Sequence, residues 1–123
     1  MKKAERNHNI LEKILVYCGQ IDEAMHDYGD NYAAFTNSST YRNAVCMCIL
    51  QIGELAAHLS DDFKNQYNAM PWQQIKGMRN FFAHKYQKID IAEVWDTMQK
   101  DIPALRSYCE EILQSLDQTQ SKK

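Results

Sequence analysis

Within the stretch GMRNFFAHKY, residues 77–86, an arginine, an asparagine and a histidine stand close together among aromatic residues. Histidine, with an ordinary pKa of about 6.5, gives or takes a proton near neutral pH. Arginine makes planar, bidentate contact with phosphate and stabilises charge that develops on it. Together Arg79 and His84 suit phosphodiester chemistry, and RNA brings its own nucleophile. Its 2'-hydroxyl attacks the adjacent phosphate once a base removes the proton and the leaving oxygen is protonated, a route that needs no metal and spares DNA. A second reading fits the same spacing, with Asn80 and His84 as surface polar residues and Arg79 as a salt-bridge partner.

A helix advances about 100° per residue, which sorts this stretch into two faces. Ile75, Met78, Phe81, Phe82 and Tyr86 share a broad apolar arc, expected to face the protein interior. Gln73, Gly77, Asn80 and His84 lie opposite. Asn80 and His84 are then neighbours one turn apart, with Arg79 flanking them and Tyr86 on the arginine's edge. Phe81 and Phe82 are expected to anchor a rigid support for the polar set. Gly77 costs about 1 kcal/mol against alanine inside a helix, so it is expected to mark a close approach by a partner helix or a ligand.

The elements around this stretch are also helical in pattern. Ile10, Leu11, Ile14, Leu15, Cys18, Ile21, Met25 and Tyr28 recur at intervals of three and four, giving a first helix that ends near YGDN. The capping-rich FTNSSTYRN leads into a second, from about Ser39 to His58. LSDDFKNQYNAM has room for a short turn of helix. Pro71 opens a third helix running to about Tyr86. Asp90 as N-cap with Glu93 three residues on starts the last, which carries Val94, Trp95, Met98, Ile102, Leu105, Cys109, Ile112 and Leu116. Pro103 lacks an N–H and clashes with the carbonyl four residues back, so a kink is expected near Gln99 to Ile102. The expectation is one all-α domain over residues 1–123, an up-and-down bundle of four main helices, with residues 116–123 a frayed polar tail.

Composition agrees. In 123 residues there are only 4 Gly and 2 Pro, too few turn residues for a many-stranded fold. The longest apolar run, residues 44–50, falls far short of the roughly 20 residues that span a bilayer, and MKKAERNHNI leads into no apolar leader core. A cytoplasmic protein with no membrane segment is expected. Cys18, Cys46, Cys48 and Cys109 lack metal-ligand spacing and are expected to be reduced and mostly buried. The four histidines are scattered, so neither a metal nor another cofactor is suggested. Net charge is -2, but from Phe63 to Ile89 no acid occurs against Lys64, Lys76, Arg79, Lys85 and Lys88. The other 9 basic residues face all 16 acids, so that segment carries +5 and the remainder -7. Such a segment suggests an anionic ligand, with Lys76, Lys85, Lys88 and Arg42 as RNA contacts; a solvated basic face accounts for it equally well.

The octapeptide RNFFAHKY, residues 79–86, resembles the R-x4-H-x-Y motif of the HEPN ribonuclease superfamily in the form found in HepT-like toxins. YRNAV at 41–45, IGELA at 52–56, PWQQIKGMRN at 71–80, VW at 94–95 and DIPAL at 101–105 resemble the same family in order and spacing. The resemblance implies a helical bundle acting as a homodimer, and a metal-independent endoribonuclease of a toxin-antitoxin system that leaves a cyclic phosphate. It implies catalytic roles for Arg79 and His84, with Asn80 as the polar residue after the arginine. It also implies a minimal nucleotidyltransferase (MNT-type) antitoxin that transfers AMP onto Tyr86. For Arg42, Asn43 and Glu54 it gives no role, and capping or interior ion pairs serve as well. The alternative function is a non-catalytic helical module that binds a nucleotide or the nucleotidyltransferase.

Overall fold

The computed structural model of the chain describes residues 2–78 and 90–121. The fold is all-α: the described residues form seven α-helices and one π-helical turn, and no strand. In chain order they are α1 (Lys3–Tyr28), α2 (Tyr32–Asn37), α3 (Ser39–Ala57), α4 (Asp61–Gln66), α5 (Trp72–Gly77), α6 (Ile91–Asp96), the π turn (Thr97–Asp101) and α7 (Ile102–Ser121).

Helix starts follow side-chain chemistry. Asn31, Ser38, Ser60 and Asp90 each accept a hydrogen bond from the backbone N–H three residues on, satisfying a donor that the first turn leaves orphaned. The end of α1 needs a glycine. Gly29 has φ 115°, and a Cβ there would lie 3.1 Å from Asn31 Nδ2 and 3.3 Å from Ala34 Cβ.

The core is built from the predicted stripes. Leu11, Ile14, Cys18 and Ile21 of α1 are fully buried against Val45, Ile49 and Ile52 of α3 and Leu105 and Cys109 of α7. Fully burying a leucine or isoleucine contributes about 1.5–3 kcal/mol, which is what holds the elements together. α1 packs on both α3 and α7, and α3 on α5. Contacts along α1 fix directions. Its start meets the end of α3, where Asn7 Nδ2 donates to Ser60 Oγ at 3.0 Å and Asn7 Oδ1 accepts from the Ser60 N–H at 3.1 Å. Its end meets the beginning of α3, where Tyr28 stacks on Tyr41 with ring centroids 5.2 Å apart. α3 therefore runs antiparallel to α1. The last rod does too: Gln99 donates to Asp30 at 3.0 Å, Arg106 pairs with Asp22, and His8 faces Asp117.

Three details differ from the sequence reading. α2 is a helix where only capping residues were expected; Asn31 starts it and buried Phe35 holds it to the core. The irregularity expected near Pro103 takes the form of the π turn, in which the Ile102 N–H bonds to the Thr97 carbonyl five residues back. Finally, α7 runs through Ser121, past the point where fraying was expected, because Leu116 packs on the core and Asp117 faces His8.

Candidate functional site

α5 delivers the chain to Arg79. Pro71 caps it, with its carbonyl accepting from Gln74 at 2.9 Å and Ile75 at 3.1 Å. Trp72 is buried, and its indole N–H donates to the Tyr67 carbonyl at 2.8 Å. Phe63 and Tyr108 lie against its ring, with centroids 6.0 and 6.3 Å away. Ile75 and Met78 are buried, as the apolar arc requires, while Gln73 on the opposite face is exposed. The support leading into the motif is thus a short helix pinned by an indole and two apolar side chains.

The motif residues Arg79, Asn80, His84 and Tyr86 lie outside the described residues, as do Lys85, Lys88, Phe81 and Phe82. The third helix is accordingly described from Trp72 to Gly77, with Met78 still in right-handed helical conformation. Of the basic segment, Lys76 is half-buried on α5 and Lys64 pairs with Asp61 at 3.7 Å. Arg42 is engaged. Its guanidinium donates to the carbonyls of Phe35, at 3.2 Å, and Thr36, capping the end of α2. Sequence reasoning had left that capping role open beside RNA contact.

Beside α5 runs a groove of about 560 Å³. Met70, Gln74 and Gly77 line one wall, and Glu93, Thr97 and Asp101 the other, from α6 and the π turn. Gly77 was expected to admit a close neighbour, but among the described residues a Cβ there would meet nothing within 4 Å. Asp96, also on the groove, is paired with Lys100 at 2.9 Å, and that pairing raises the lysine's pKa. The acidic wall carried no sequence signal beyond the capping role of Asp90 and Glu93.

Burial keeps the thiols inert. It pushes Cys18 up to about 11, with Arg106 opposing, and Cys109 up to about 12. Cys46 is pushed up to about 11, again by burial with Arg42 opposing. Among the described residues no group of three His, Cys, Asp or Glu side chains is arranged to hold a metal ion. Nor is any helix among them long and apolar enough to cross a membrane.

The architecture defines an all-helical bundle that sets a short, anchored helix immediately before an R-x4-H-x-Y sequence. The family model described as "Ribonuclease HepT-like" matches residues 14–112, and the chain belongs to that family. A protein of Methanocaldococcus jannaschii named "Putative RNase" is 30% identical over 108 residues, covering 88% of this chain and 91% of its own. Another of that name, from Caldanaerobacter subterraneus subsp. tengcongensis, is 31% identical over 104 residues, covering 85% and 91%. A "Probable ribonuclease HepT" of Thermococcus cleftensis is 32% identical over 69 residues, covering 56% of this chain and 63% of its own. No solved structure gives a significant match to the chain.

Proposed function

We propose that the protein is a metal-independent endoribonuclease, the toxin of a type II toxin-antitoxin pair, working as a homodimer in the cytoplasm. The observation that carries this is the family match over residues 14–112, which spans every position of the motif. Arg79 and His84 act on the scissile phosphate. A proton leaves the 2'-hydroxyl for a general base, the 2'-oxygen bonds to phosphorus, and the bond to the 5'-oxygen breaks as that oxygen takes a proton. His84 supplies acid–base chemistry and Arg79 stabilises the charge on the phosphoryl oxygens, with Asn80 as a neutral hydrogen-bonding neighbour. One chain offers a single motif histidine. A two-fold dimer that sets two copies of the Asn80 and His84 face across one cleft supplies both a base and an acid. Lys76, Lys85 and Lys88 add positive charge for the RNA backbone.

Control falls to Tyr86. An MNT-type nucleotidyltransferase antitoxin transfers AMP to its phenol oxygen from a nucleoside triphosphate, with pyrophosphate leaving. The added nucleotide brings bulk and negative charge close to His84 and repels RNA phosphates. The test is the chemistry of the product ends. Cleaved RNA should carry 2',3'-cyclic phosphate and 5'-hydroxyl termini; 3'-hydroxyl and 5'-phosphate ends would rule out attack by the 2'-oxygen. For the control step, Tyr86→Phe should cleave RNA and escape the antitoxin, and full neutralisation of that variant would exclude this tyrosine as the target.

A further inference from the structure

The end of α1, the short helix α2 and the start of the last rod meet at one corner of the bundle, where aromatic rings join them. Tyr32 of α2 meets Trp95 of α6 edge-on, with ring centroids 6.0 Å apart. Phe35 lies against both Trp95 and Tyr41, at 5.4 and 5.0 Å, and Tyr28 at the end of α1 stacks on Tyr41. Three of these five rings reach the surface. Tyr28 is 44% exposed and Tyr32 45%, and Trp95 is half-buried.

Charge at this corner is of one sign. From Ile14 to Tyr41 the chain has no lysine or arginine, and it carries Asp22, Glu23, Asp27 and Asp30. Asp22 pairs with Arg106, and His26 lies 3.4 Å from Asp27. Asp30 is exposed and accepts from the neutral amide of Gln99 at 3.0 Å. Cations from the neighbouring elements are engaged: Arg42 on the carbonyls that end α2, Lys100 on Asp96, and Arg106 on Asp22 and Glu110. Beneath the exposed rings lies a polar atom of the core. Tyr41 is fully buried, and its hydroxyl has no hydrogen-bond partner among the described residues. Burial raises its pKa and the charge of Asp30 adds to the rise, so the phenol lies within the field of that carboxylate. An orphaned buried hydroxyl costs free energy until a partner reaches it.

These features call for one chemistry. A guanidinium is a planar cation that stacks on aromatic faces, and its five N–H donors suffice for a forked contact with a carboxylate and a further bond to a phenol oxygen. RNA is disfavoured, since its phosphates would meet Glu23, Asp27 and Asp30. We propose that this corner is a docking surface for an arginine-bearing segment of a partner protein, seated on Tyr28 and Tyr32 with its guanidinium on Asp30. Tyrosine, tryptophan and arginine are the residues that dominate binding energy at protein interfaces, and here the surface supplies the rings and the partner the cation. The surface is independent of the ribonuclease reading, since none of these residues belongs to the motif.

The experiment is an NMR titration of the full chain with the capped peptide Gly-Arg-Arg-Gly, followed at the amides of residues 28–36 and the Trp95 indole N–H. Saturable shifts are expected there. Cation–π contact at an exposed ring and a partly exposed ion pair are each modest, so Tyr32→Ala and Asp30→Asn should each weaken the Kd about two- to five-fold, at unchanged Tm. Absence of saturable shifts at these positions would overturn the proposal, as would unchanged affinity in either variant or equal binding of Gly-Lys-Lys-Gly. Shifts spread evenly over acids elsewhere, such as Asp61 and Glu111, would overturn it too. So would larger shifts at the same positions with oligouridine, which would make the corner a nucleic-acid surface.

Discussion

Arg42 shows how one side chain type supports different readings until its partners are seen. Its place in YRNAV fitted both an RNA contact and a cap, and its guanidinium donates to the last carbonyls of α2. Charge-assisted bonds to such carbonyls stabilise by about 1–2 kcal/mol when partly exposed. Arg42→Ala should therefore lower thermal stability measurably, with a smaller effect on RNA affinity than Lys76→Ala. Equal stability with a large loss of RNA binding would reverse that assignment. For Gly77 the cost inside a helix was legible, and among the described residues the glycine borders a groove; the partner helix or ligand expected beside it lies outside them. Spacing identifies which residues share a face and does not say what lies opposite.

At the scale of elements, periodicity and capping residues carried most of the information. The second helix was expected from Ser39 to His58 and runs Ser39–Ala57 with His58 as its C-cap. Asp90 caps the start of the last rod as its spacing with Glu93 predicts. α2 was not read as a helix because six residues present too short a stripe; burial of Phe35 and the Arg42 bonds, both tertiary, hold it. The π turn follows from Pro103 only in outline: a missing N–H predicts a disturbance and not its form. The least foreseeable contact is Asn7, a buried amide that exchanges two hydrogen bonds with Ser60. Its truncation leaves the Ser60 N–H without that partner. Asn7→Ala should destabilise by about 1–3 kcal/mol in denaturant unfolding, and a change below about 0.5 kcal/mol would show that water replaces the amide freely.

For the whole molecule, the thiols of Cys18, Cys48 and Cys109 bring α1, α3 and α7 into one apolar core. Burial raises Cys18 and Cys109 from 9.0 to about 11 and about 12. Raised values mean that the folded state holds these protons longer than the unfolded chain. Their contribution to stability is present below pH about 9 and is lost as pH climbs toward 11 and 12. Since the thiolate is the nucleophile, alkylation of Cys18 and Cys109 at pH 8 should be about a hundred-fold or more slower in the folded protein than in urea. Comparable rates would mean that the core opens readily.

The whole molecule also carries the functional claim, because a bundle that anchors α5 matters only if the motif beyond it acts on RNA. The decisive measurement is cleavage of total RNA and purified tRNA by the full chain in EDTA, with His84→Ala prepared in parallel. Loss of an acid–base group typically costs 10²- to 10⁴-fold, so the wild type should cleave and the variant should be at least about a hundred-fold slower, at unchanged thermal stability. Equal cleavage by both, or none by the wild type on either RNA, would contradict a metal-independent ribonuclease centred on Arg79 and His84.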